Sequence, residues 1–85
     1  MSKNQQVKKN IELSSELSQY MLENPSLAAD MPSHSSYVVF SSKDKELNKL
    51  NEKLADKITK EGRQVVRAQK TGDEENPWTL TPLNP

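Results

Sequence analysis

Apolar residues in this chain fall into four clusters, and the spacing within each predicts a different element. In the first, Val7, Ile11, Leu17, Met21 and Leu22 lie within about 140° of arc at 100° per residue, with Leu13 and Tyr20 at its edge. Glu12, Ser14, Ser15, Glu16 and Ser18 lie mostly elsewhere on the wheel, so the spacing predicts an amphipathic helix over residues 6–23. Asn24-Pro25 ends it, because the residue before a proline is pushed out of the α region. Residues 26–35 read as a linker in which Leu27, Ala28 and Met31 offer contacts to a core.

Tyr37-Val38-Val39-Phe40 is the one dense aromatic and β-branched run, and it predicts a strand over 36–41. Its continuous apolar character points to burial on both faces, as in a parallel sheet. Ser41 or Ser42 then offers a helix N-cap, with Asp44 and Glu46 in the first turn, where the helix dipole favours negative charge. Leu47, Leu50, Leu54 and Ile58 occupy about 80° of one face of a second helix, 43–60, flanked by Ala55. Gly62 suits the left-handed position that follows a helix end. Val65-Val66, in the partly alternating RQVVRAQK, predicts a second and less buried strand over 64–70. The fold class is therefore α/β: a small single α-β-α-β domain over 1–72 with one right-handed βαβ unit and a two-stranded parallel sheet. Residues 73–85 form a Pro-rich extended tail carrying Trp78, in which Trp78–Thr81 reads equally as an edge strand or as irregular chain.

Two parallel strands do not make a self-sufficient sheet. If both long helices cover one face, the other face and both edges stay open. Composition sharpens the point. With 32% apolar residues and 9.6 kDa, only about 63% of the unfolded surface can be buried. The expectation is a homo-oligomer or a dedicated protein partner. Twelve basic and twelve acidic residues give a formal charge of zero, which removes bulk attraction to nucleic acid or anionic membranes. Without cysteine there is no disulfide framework and no thiolate nucleophile or ligand. No apolar run is long enough to span a bilayer, and a cytoplasmic setting is the default expectation.

The pattern Glu12-Leu13, Asn24-Pro25, Pro32, Val38-Val39-Phe40, Asp44-x-Glu46-Leu47, Asn51 with Leu54-Ala55, Glu61-Gly62, Val65-Val66 and Pro77-Trp78 resembles a small bacterial family classed as a domain of unknown function. These are packing and capping residues. The resemblance implies a compact α/β protein and supplies no catalytic residue.

Candidate chemistry is thin. His34, in Pro32-Ser33-His34-Ser35-Ser36, offers a general base beside serines or half of a metal site, against the plainer reading of an exposed loop residue. Ser41, Ser42 and Lys43 stand where α/β folds bind phosphates, but no glycine-rich cradle is present, and capping alone explains the serines. Glu12/Glu16 and Glu52/Asp56 lie one turn apart without a signalled third ligand, as solvated surface does. Lys49, Lys53 and Lys57, with Arg63 and Arg67, make a candidate nucleic-acid face, although Glu52 and Asp56 interrupt it. Trp78, Leu80, Tyr37 and Val65 make the candidate partner interface, with Trp78 either anchoring a neighbour or folding back on its own sheet. The sequence thus predicts no catalytic, metal or cofactor residue. It predicts a non-enzymatic interaction or regulatory module, antitoxin-like, acting as a homodimer or on a partner protein. The alternatives are a nucleic-acid-binding accessory and a minimal phosphate-directed enzyme.

Overall fold

Ser2 opens helix α1 (Lys3–Glu23) through a capping box. Its hydroxyl accepts from the Gln5 N–H at 3.2 Å, and the Gln5 side chain accepts from the Ser2 N–H at 2.9 Å. The cap carries the helix back three residues beyond its predicted start. A computed structural model describes residues 1–83. After α1 come α2 (Ser26–Ala29), β1 (Ser36–Phe40), α3 (Lys45–Lys60), β2 (Val65–Lys70) and β3 (Trp78–Pro82). One turn of helix therefore interrupts the predicted linker, because Pro25 precedes Ser26 with a φ already suited to a helix start.

Asp44 rather than either serine caps α3, accepting from the Leu47 N–H at 3.1 Å. The helix ends in a Schellman arrangement. Gly62 N–H donates to Thr59 O and Arg63 N–H to Ile58 O, with Gly62 at φ +81°. A side chain at Gly62 would meet nothing within 4 Å, so its requirement is conformational rather than steric.

The sheet has three strands, not two, in the order β1-β2-β3. β1 pairs in parallel with β2 from Ser36↔Val65 to Phe40↔Gln69, and β3 pairs antiparallel with β2 from Val66↔Pro82 to Lys70↔Trp78. The tail supplies the third strand because its prolines fall where an edge strand tolerates them, Pro77 just before it and Pro82 at its end. Asn84 and Pro85, the last residues of the predicted tail, lie outside the described residues. β2 is consequently the central strand, with Val65, Val66 and Ala68 buried.

Both faces of the sheet are covered, one helix to each. Val38, Phe40 and Val65 pack with Ala55 and Ile58 of α3. Val39, Ala68 and Trp78 pack with Leu17 of α1, joined by Leu13, Tyr20, Met21, Tyr37 and Leu80. Alternation along β1 separates the two clusters, since successive side chains point to opposite faces. The helices do not share one face, as the sequence expectation had it, because the third strand gives α1 an apolar surface of its own. Cα extents of 34 × 31 × 16 Å fit this arrangement: the short axis is little more than the width of three strands.

Candidate interaction surface

Trp78 is 4% exposed and sits beside Leu17, Val39 and Ala68 of its own chain. Tyr37 and Leu80 are partly buried against the same cluster, and Val65 is 1% exposed beneath α3. The four residues selected from the sequence as a partner interface are thus split between two interior clusters.

The basic candidates are also divided. Lys49, Lys53 and Lys57 are exposed on α3 and make no ion pair among the described residues. Asp56 lines the same shallow surface as Lys53 and Lys57. Arg67 lies 3.8 Å over the Phe40 ring and donates to Glu52 at 2.7 Å, while Arg63 donates to the Ser36 hydroxyl at 2.9 Å. Both arginines are committed to the fold.

The loop after β1, where a phosphate would sit, satisfies its own donors. Ser41 Oγ accepts from the N–H groups of Lys43 and Asp44. Asn48 closes the loop from α3: Oδ1 accepts from Ser41 N–H at 2.7 Å and Nδ2 donates to Ser41 O at 2.8 Å. The Asp44 carboxylate already occupies the mouth of the α3 N-terminus. Lys9 of α1 donates to it at 2.8 Å. Chiefly that hydrogen bond, and then the Leu47 N–H, hold the Asp44 carboxyl below the usual aspartate range. A depressed folded value means that the ion pair stabilises the protein above the unfolded aspartate pKa. That stabilisation is lost as pH falls through the folded value. We expect the thermal midpoint to drop on acidification below about pH 4. An Asp44→Asn chain, which retains a capping oxygen, is expected to show a shallower fall over the same range.

His34 is exposed, in a left-handed backbone at φ +59°. No group of three or more His, Asp or Glu side chains suited to a metal ion occurs among the described residues. Among those residues, too, no helix is long and apolar enough to cross a membrane.

Two features absent from the sequence-derived candidates organise α1. Inward, Asn51 of α3 is wholly buried and joins three elements. Its Nδ2 donates to Val39 O and to Asn10 Oδ1, each at 2.8 Å. Its Oδ1 accepts from Gln6 and Asn10 at 3.1 Å. Ser36 N–H donates to Gln64 O, so by strand parity residues 37 and 39 turn their backbone groups to the free edge of β1. Asn51 therefore caps one outward carbonyl of that edge, Val39 O.

Outward, α1 leaves a ridge uncovered. Val7 is 49%, Ile11 61% and Leu22 79% exposed, and with Ser14, Ser15 and Ser18 they line one shallow groove along the helix. The apolar arc read from the sequence was one continuous face, but the sheet takes only Leu13, Leu17, Tyr20 and Met21 from it. The spacing 7, 11, 14, 18 alternates four and three residues, as in a helix that packs on another helix.

The sequence matches a family described as a family of unknown function, DUF5647, over residues 5–76. The chain belongs to this family. The match spans α1 through β2 and stops one residue short of Pro77-Trp78, so it contains the Asn51 junction and the α1 ridge but not β3. No curated protein and no solved structure is significantly similar to the chain.

Proposed function

We propose that the protein is a small non-enzymatic interaction module whose docking surface is the outward ridge of α1. The observation that carries this reading is the alignment of Val7, Ile11 and Leu22 on one exposed face while Trp78 is enclosed. Large apolar side chains gathered on one surface of a small protein are the usual mark of a contact with another macromolecule. The polar groups of the loop after β1 are consumed in capping and loop closure, whereas the ridge has no such internal purpose.

The test is comparative capture with the wild-type chain and an Ile11→Glu, Leu22→Glu double variant. Both residues face solvent, so the melting temperature is expected to stay within a few degrees of wild type. Proteins retained by wild type, including untagged copies of this chain, are expected to be lost from the variant. An identical retained set would overturn the reading. A second reading, nucleic-acid binding by Lys49, Lys53 and Lys57, draws support from their exposure alone. It requires retention of DNA or RNA that falls steeply with salt.

A further inference from the structure

The groove on α1 is its own mirror in sequence order. Its lining pairs as Val7 with Leu22, Asn10 with Gln19, Ile11 with Ser18, and Ser14 with Ser15. Reversing the helix about the point between Ser14 and Ser15 returns the same set of positions. A stripe of helical periodicity has this property, and it lets the surface meet a copy of itself across a two-fold axis, where residue i contacts residue j and j contacts i. We infer that the occupant of the ridge is a second copy of α1, antiparallel, with the two-fold axis passing between Ser14 and Ser15. This rests on the reading of the ridge as a docking surface and names its partner.

The side chains fit that register. At each end Val7 of one copy meets Leu22 of the other, apolar on apolar. Ile11 projects toward the small Ser18, which leaves the space a knob requires. At the crossing point, Ser14 and Ser15 allow the axes to approach to the short end of the usual interval of about 8–10 Å.

Charge chooses the direction. Lys8 and Glu23 flank the same side of the ridge, about 60° apart on the wheel. Neither makes an ion pair within the chain among the described residues. In the antiparallel register position 8 stands opposite 21, so Lys8 of each copy reaches Glu23 of the other, twice over. A parallel pair would set Lys8 against Lys8 and Glu23 against Glu23, and would align the two helix dipoles unfavourably.

The absence of native cysteine makes the register directly readable. Under mild oxidation Ser15→Cys is expected to crosslink to itself, because the two copies of position 15 stand about one residue apart along the helices, across the axis. Val7→Cys is not, because the two copies of position 7 are roughly 22 Å apart along the helices at 1.5 Å per residue. Mixed with Leu22→Cys, the Val7→Cys chain is expected to form the heterodimeric crosslink. Light scattering on wild type should give twice 9.6 kDa. Ile11→Glu should raise the dissociation constant at least about tenfold without shifting the melting temperature of the monomer. Self-crosslinking of Val7→Cys without the mixed product would overturn the antiparallel register. A wild-type monomer at several hundred micromolar (roughly the range in which weak contacts form) would overturn self-association. If capture of another protein still depends on Ile11 in that case, the docking reading survives alone. If it does not, both fail.

Discussion

An Asn51→Asp chain is expected to lose about 3–4 kcal/mol of stability at neutral pH, from a total of roughly 4–13 kcal/mol for 85 residues. The substitution changes almost no volume. It removes both donors, leaving Val39 O and Asn10 Oδ1 facing a buried carboxylate oxygen instead of an N–H. Each unsatisfied buried acceptor costs about 1–3 kcal/mol, and the buried charge adds to that. Burial raises the pKa of the new carboxyl, so the folded form holds its proton to higher pH than the unfolded chain. The deficit should therefore shrink as pH falls, because the protonated carboxyl of this variant can donate one O–H to Val39 O. Asn51→Leu, without the charge, is expected to lose about 2 kcal/mol at any pH. Urea titrations at two pH values check both. Equal losses at both pH values for the aspartate variant would mean that Asn51 is not enclosed as described.

The second large effect concerns Trp78. Replacing it by alanine should cost about 3–5 kcal/mol, enough to leave much of the population unfolded at physiological temperature. Trp78→Phe should retain most of the stability. A residue whose function was to anchor a neighbouring subunit would leave the isolated chain's stability nearly unchanged on truncation, so the loss in dilute solution separates the two roles. Wild-type tryptophan emission, from the chain's single tryptophan, should shift to the red on unfolding.

The elements were legible because local signals agreed. Of the stripe Leu47, Leu50, Leu54 and Ile58 flanked by Ala55, the structure buries Leu47, Ala55 and Ile58 and leaves Leu54 exposed. The face is therefore centred nearer Asn51 and Ala55 than the leucine spacing implies, and Gly62 marks the helix end. Val38-Val39-Phe40 is buried on both sides as its unbroken apolar run implies. Three matters escaped. Trp78–Pro82 carries the same signals as an irregular tail, and only its pairing with β2 decides it. The apolar arc of α1 gives no hint of where the sheet stops claiming residues, since helical periodicity fixes a face and not its depth of burial. Asn51 did leave a trace. It interrupts the apolar stripe four residues after Leu47 and four before Ala55, and a polar residue there needs a partner. Finding that partner in Asn10, 41 residues away, needs the tertiary structure.

The division of labour on α1 has a consequence for how the protein comes apart. Of its 21 residues only Leu17 is fully buried, whereas the 16 of α3 include four. Local opening draws on the least enclosed element, so α1 is the segment that detaches while the sheet and α3 hold together. Its departure uncovers the Ala68–Trp78 face and takes Gln6 and Asn10 away from Asn51, while Asn51 keeps its bond to Val39 O from α3, so an apolar sheet face is opened to aggregation. Whatever grips the outer ridge of α1 also keeps that face covered, so partner binding and resistance to aggregation are two readings of one equilibrium.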